Sequence, residues 1–288
     1  MSKLIIMQGL PASGKTTKAR EILKSDGNAI RVNKDELRLM LHGDRKWNGK
    51  QEKITNKVQS AMIVSGLGQN KTVIVDDTNL NPNRVESLKQ LAKGHKVEVL
   101  KVDTPFDECI CRDRCREKSV GRDVIERMAI KSGLYPYSRH FILCDLDGTI
   151  ADLSHRLQYI TGDVKDYDKF YDNAEVLKDG FYSGIFDEFV QDYANAWDAE
   201  IVFFSGRSDV CREGTLQWLY KWTGMKEPLL FMRREGDYRP DHIVKKEMYN
   251  SIFNEGDVLR VYDDRPSVIR MWREMGLEVV DCGNGEEF

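Results

Sequence analysis

Short apolar runs alternate with amphipathic stretches along the first half of the chain. LIIMQG is followed by KTTKAREILK, in which Ala19, Ile22 and Leu23 recur at helical spacing. AIRVN, a charged helical stretch, TVIVDD, another helical stretch and VEVLKV come next. Strands that read as continuous apolar runs and are separated by helices predict a parallel sheet, because parallel neighbours need crossovers and bury both faces. The pattern breaks at SGLYPYSRH, where Gly133 and Pro136 punctuate a polar, aromatic connector. It restarts with FILCDLDGT, a long mixed stretch to about Glu200, IVFFSGR, a helical stretch, LRVYDDR and the helical PSVIRMWREMG. The fold class expected is α/β in two domains, residues 1–138 and 139–288, each built on a parallel sheet.

Composition narrows the setting. At 288 residues the chain can bury two cores of ordinary size. Its hydrophobic fraction of 41% suits a soluble protein, and no apolar run is long enough to cross a bilayer, so no membrane partner is expected. The opening MSKLIIMQGL reads as a first strand rather than a signal peptide. The six cysteines are scattered, and Cys109, Cys111 and Cys115 lack metal-type pairing, which fits free thiols in a cytoplasmic setting. A net charge of −3 gives no general attraction to nucleic acid, so any polynucleotide must be held by local basic groups.

Two phosphate-handling signatures of opposite sense then stand out. Gly9-Leu-Pro-Ala-Ser-Gly14-Lys15-Thr16 fits GxxxxGK[ST] between a strand and a helix. Its backbone amides can curl around phosphate oxygens, with the helix N-terminus adding partial positive charge. Gly9, Pro11, Ala12, Ser13, Gly14, Lys15, Thr16 and Thr17 are the expected contacts to ATP or another NTP. Lys15 would neutralise the outer phosphates and Thr16 would ligate Mg²⁺. In VNKDELR, Asp35 follows a strand and Arg38 shares its helix face. A carboxylate there can accept a hydroxyl proton while the guanidinium orients an acceptor phosphate; a helix cap with an exposed ion pair is the plainer alternative. TVIVDDTNLN ends a strand in Asp76 and Asp77, of which Asp77 is the preferred support for Mg²⁺ or the arginine, unless both are turn residues. Arg112 and Arg116 lie at i and i+4 in ECICRDRCREK, like charges that make sense around an anion, as in a lid; a solvated surface pair is the plainer alternative.

The second signature, Cys144–Thr149, is CDLDGT at the end of an apolar strand. Asp145 suits a nucleophile that takes up a phosphoryl group, and Asp147 an acid that protonates the leaving oxygen and then activates water. Two carboxylates facing a phosphate dianion need Mg²⁺, with Asp145, Asp147, Asp263 and Asp264 as expected ligands. Ser205 and Arg207 of FFSGR would bind phosphate, and Lys245 or Lys246 would neutralise charge. The stretch from Ala151 to Glu200 is the expected cap.

Taken with their order, these motifs resemble the phage polynucleotide 5′-kinase/3′-phosphatase family, a P-loop kinase fused to a haloacid-dehalogenase-type phosphatase. The likeness spans nearly the whole chain and is carried by NKDELR, DTNLNP, DxDGT, SGR and the helix after VYDDR. It implies transfer of the ATP γ-phosphate to 5′-OH ends of RNA or DNA, and removal of 3′-phosphate and 2′,3′-cyclic phosphate ends. It implies that Lys15 and Thr16 bind triphosphate and that Asp35 is the general base. Arg38, supported by Asp77, would meet the phosphate beside the acceptor hydroxyl, with Arg112 and Arg116 as lid. It implies Asp145, Asp147, Ser205, Arg207, Lys245, Asp263 and Asp264 as the phosphatase set, with Arg156 and one of Arg233 and Arg234 touching substrate. An RNA ligase as functional partner and a homo-oligomer follow from the same likeness. Two other readings compete: a kinase/phosphatase of a small sugar or nucleoside, and an end-binding module without activity. The loop GDRKWNGKQEK, with Arg45, Lys46, Lys50 and Lys53 around Trp47, would favour a strand-shaped substrate.

Overall fold

The computed structural model describes residues 2–44, 49–161, 163–195 and 199–285. The chain forms two compact units, Met1–Ser132 and Gly133–Phe288. In the first, the elements run β1 (Lys3–Gln8), α1 (Lys15–Ser25), β2 (Ala29–Val32), α2 (Lys34–His42), α3 (Gly49–Gly68), β3 (Thr72–Val75), α4 (Pro82–Leu91), β4 (Lys96–Lys101), α5 (Phe106–Arg114) and α6 (Arg122–Lys131). The four strands are parallel in the order β2-β3-β1-β4. Leu4 and Ile6 face one helical layer with Val73, Val75, Ile63 and Leu88, while Ile5, Met7 and Ile74 face the other with Ala19. Both faces are therefore covered, which is why these strands read as unbroken apolar runs.

The second unit continues with β5 (His140–Cys144), β6 (Ala151–Asp152), a 3₁₀ turn (Ser154–Tyr159), α7 (Tyr167–Phe170), α8 (Asn173–Val176), β7 (Gly180–Phe181), α9 (Ser183–Asn195) and β8 (Ala199–Ser208). After a second 3₁₀ turn (Asp209–Cys211) come α10 (Arg212–Thr223), β9 (Leu229–Arg233), α11 (Asp241–Ile252), β10 (Val258–Asp263), α12 (Pro266–Glu274) and β11 (Val279–Asp281). The sheet is parallel, ordered β11-β10-β5-β8-β9. Its core packs Phe203, Phe189, Trp218 and Tyr262. Truncating a buried aromatic such as Trp218 to Ala would cost roughly 3–5 kcal/mol.

The stretch expected as a cap divides in two. Residues 151–181 form the small β6-β7 antiparallel pair and short helices, whereas α9 is a layer of the core, with Phe189 buried against Phe203 and Tyr262. The apolar positions Ile185, Phe186, Phe189 and Val190 at helical spacing explain the difference.

Candidate active sites

In both sheets the candidate residues cluster at carboxyl ends of strands, where open α/β sheets place ligands. The loop after β1 passes into α1 through Gly14, left-handed at φ 97°, with Ala12 at φ 60°. Gly9 has φ 154°, and a Cβ there would stand 2.7 Å from the Val102 carbonyl oxygen, so a side chain is excluded. The Lys15 ammonium donates to the Leu10 carbonyl at 2.5 Å and to Ser13 Oγ at 3.3 Å, within the loop. Burial lowers its pKa to about 8, with Asp76 the foremost opposing charge. Thr104 Oγ1 and the Arg112 guanidinium both donate to the Ser13 carbonyl, at 2.7 and 3.4 Å. Arg112 thus lies against the loop, paired also with Glu108 at 2.5 Å.

Asp35 sits in the first turn of α2, whose N-cap Asn33 accepts from the Glu36 amide at 3.0 Å. Its carboxylate is mostly exposed and pairs with Arg38 at 2.5 Å. The remaining grip on Arg38 comes from Glu52 of α3, at 2.8 and 3.1 Å, and Lys34 reaches the same carboxylate at 3.2 Å. Glu52 supplies hydrogen bonds to Arg38, and Asp77, expected to support it, acts on it through its charge. Asp77 instead accepts from the Lys34 amide at 2.9 Å and from Gln59 at 2.7 Å, and burial raises its pKa. Asp76 is the carboxylate beside Lys15: Arg31 holds one oxygen at 2.7 Å, and the other is buried without a hydrogen-bond partner. Asp76 thus keeps a spare buried oxygen, whereas both oxygens of Asp77 accept hydrogen bonds.

Arg116 departs from the helical pairing expected for it. Helix α5 ends at Arg114 because the buried Asp113 carboxylate accepts from Ser119 Oγ, the Val120 amide and the Gly121 amide at 2.6, 3.0 and 3.1 Å, closing a turn. Arg116 lies in that turn, bonded to the Lys118 carbonyl at 2.9 Å, and its charge still acts on Lys15. Lys50 and Lys53 fall in the first turns of α3; Arg45, Lys46 and Trp47 lie outside the described residues.

In the second unit Asp145 directly follows β5, Ser205 lies within β8 and Asp263 ends β10, on adjacent strands. One carboxylate oxygen from each of Asp145, Asp263 and Asp264 lies within 4.8 Å of the others. Lys245 is buried among them, 2.8 Å from Asp145 and 2.9 Å from Asp263, while Lys246 is exposed on the other face of α11. Burial drives the Asp145 pKa well up, and burial together with Asp263 raises that of Asp264 to about 6. The trio is short of positive charge, and hard oxygen donors in this grouping fit Mg²⁺. Gly148, at φ 82°, leaves the space this requires, since a Cβ there would come within 2.0 Å of Asp264 Oδ2.

The Asp147 side chain is not part of that carboxylate group, contrary to its expected place among the metal ligands. Its oxygens are taken by Arg207 at 2.5, 2.9 and 3.0 Å and by Arg156 at 2.9 Å. Against the cost of burial, these two charges hold its pKa at about 2. Ser205 Oγ accepts from the Arg207 amide at 3.2 Å. Arg156, expected to touch substrate, is fully buried over the Phe170 ring. Of the pair Arg233 and Arg234, Arg233 is locked to the Gly206 carbonyl at 2.8 Å and Asp241 at 2.9 Å, and Arg234 is exposed. Sequence reasoning passed over Glu52, Gln59 and Asp179; the last holds both Arg156 and Arg207.

Residues 139–287 match the family profile described as polynucleotide kinase PNKP phosphatase domain, and residues 4–132 match an AAA domain profile. A protein of Autographa californica nuclear polyhedrosis virus named "Putative bifunctional polynucleotide kinase/RNA ligase" is 30% identical over 96% of this chain. The chain spans 42% of that relative's length. Among solved structures, a chain of the Pnkp1/Rnl/Hen1 RNA repair complex is 26% identical, covering 99% of this chain and 97% of that one, at a TM-score of 0.43. A gluconokinase from Sinorhizobium meliloti 1021 covers 45% of this chain and 74% of its own at 15% identity and a TM-score of 0.34.

Proposed function

This chain belongs to the polynucleotide kinase PNKP phosphatase family, and from that premise we propose that it prepares both ends of a broken RNA or DNA strand for joining. The N-terminal unit transfers the γ-phosphate of ATP to a 5′-OH, and the C-terminal unit removes a 3′-phosphate or a 2′,3′-cyclic phosphate. The observation that supports this reading is that each compact unit gathers its own set of candidate phosphate-handling residues, Lys15 in its loop in one and three clustered carboxylates in the other. The small-metabolite alternative has no comparable support beside the family match.

In the kinase, the loop amides and Lys15 bind the triphosphate, with Thr16 and the spare oxygen of Asp76 toward Mg²⁺, which supplies charge neutralisation when bound. Asp35, exposed at the head of α2, accepts the proton of the attacking hydroxyl. Arg38, set by Glu52, holds the acceptor's neighbouring phosphate, and Arg112 closes on the loop from α5.

In the phosphatase, Asp145, Asp263 and Asp264 would hold Mg²⁺, which draws charge from the phosphate when bound. An Asp145 oxygen attacks phosphorus, forming an acyl phosphate as the ester oxygen leaves with a proton from Asp147. Water, losing its proton to Asp147, then releases inorganic phosphate. The guanidiniums keep resting Asp147 in its base form. The acid form therefore arises as the incoming phosphate takes over part of their charge. Lys245 offsets the repulsion among the acids throughout.

The viral relative's name joins polynucleotide kinase to RNA ligase, which supports a ligase as the consumer of the products. Supplying γ-labelled ATP with 5′-OH oligonucleotides on one side and sugars and nucleosides on the other tests the assignment. Label must enter the oligonucleotides; labelling confined to the small compounds refutes it.

A further inference from the structure

The carboxylate of Asp179 takes no part in the steps above, yet it is fully buried between two guanidiniums. Arg156 grips it with Nε on Oδ1 at 2.8 Å and Nη2 on Oδ2 at 2.9 Å. Arg207 reaches the same Oδ2 with Nη2 at 2.6 Å. Both guanidiniums also donate to Asp147, Arg156 through Nη2 and Arg207 through Nε and Nη2, so the four side chains close a ring of alternating charge. Only the Asp147 carboxylate is partly open, at 19% exposure. The position of Asp179 is itself fixed from both sides: its amide donates to the Val176 carbonyl at 3.1 Å, and its carbonyl accepts from Trp218 Nε1 at 2.9 Å. His155 adds a ring nitrogen 3.8 Å from Oδ1.

We propose that Asp179 is a positioning residue of the phosphatase, aiming Arg156 and Arg207 so that the Asp147 carboxyl faces the leaving oxygen. The proposal rests on the proton-transfer role assigned to Asp147 above. Without Asp179 both guanidiniums would have a single carboxylate to share, and each would be drawn further onto Asp147. Neither arginine can be relieved by solvent, because both are buried. The ring also ties together four parts of the chain: the loop after β5, the turn after β6, the segment between α8 and β7, and the end of β8. A residue that sets the direction of a proton donor matters only when the leaving group needs the proton.

The test is therefore the ratio of two rates measured on one sample, which cancels the fraction of folded enzyme. An oligonucleotide 3′-phosphate releases an alkoxide that must be protonated, and p-nitrophenyl phosphate releases a stable phenolate. Asp179→Asn should lower kcat on the oligonucleotide by about a hundredfold, a typical share for general-acid help. Turnover of p-nitrophenyl phosphate should fall far less. Asp179→Glu, which keeps the charge, should hold the ratio nearer to that of the wild type. Equal losses on both substrates, or a larger fall in the ratio for Glu than for Asn, would overturn the proposal. A wild-type enzyme that cleaves a sugar phosphate but no oligonucleotide 3′-phosphate refutes the nucleic-acid reading instead; the alkyl-to-aryl ratio on the sugar phosphate then still tests Asp179.

Discussion

At the scale of single residues, one titration and one nucleophile carry the chemistry. Lys15 releases its proton at about pH 8 in the folded loop, against 10.5 for an unperturbed lysine, chiefly because it is buried. Between these values the unfolded chain binds more protons, so stability rises with pH through that window. Nucleotide phosphates beside Lys15 would restore the proton. ATP binding should therefore take up a proton above about pH 8, and affinity should weaken as pH rises further. Calorimetry in two buffers of different ionisation heat checks this; binding without proton uptake there contradicts it. For Asp145→Asn, phosphatase turnover should vanish while the domain still melts cooperatively, since an amide cannot attack phosphorus. Normal hydrolysis by that variant would rule out an aspartyl phosphate. Asp145, Lys15, Ser205 and Asp263 were legible in the sequence because each closes an apolar strand or glycine turn with a fixed chemical need. Glu52 and Asp179 were not legible, since nothing in their own neighbourhood marks them. Their roles come from guanidiniums that tertiary packing brings to them from 14 and 23 residues away.

At the scale of elements, α and β alternation was readable in both halves because period and apolar runs report burial directly. What the pattern could not show was where α5 stops, since the end is set by one buried carboxylate satisfying three donors beyond the helix. Nor did it show that α9 belongs to the core while only residues 151–181 form the cap, because a mixed stretch with short helices has no single period. The turn closed by Asp113 places Arg116 near the phosphate loop. Asp113→Ala would take the acceptor from two amides and a hydroxyl in a turn that water reaches, at about 0.5–1.5 kcal/mol for each hydrogen bond lost. Kinase turnover should fall and the N-terminal unit should melt earlier, with phosphatase turnover unchanged. Paired activity assays and melting curves measure this, and an unaltered kinase would show that the turn does not position the lid.

At the scale of the whole molecule, the two units have their own sheets, cores and sites, so their activities should be separable. Lys15→Ala and Asp35→Ala should each abolish 5′ phosphorylation and leave removal of the 3′-phosphate intact. Loss of both activities from either change, in protein that still folds, would mean that the sites depend on one another. The central claim is that one polypeptide adds phosphate at one end of a broken strand and removes it at the other. Its most direct test is a single RNA fragment bearing a 5′-OH and a 3′-phosphate, incubated with ATP and Mg²⁺ and analysed by mass after digestion into its two ends. The account predicts a phosphate gained on the 5′ fragment and one lost from the 3′ fragment; both ends left unchanged by active protein would contradict it.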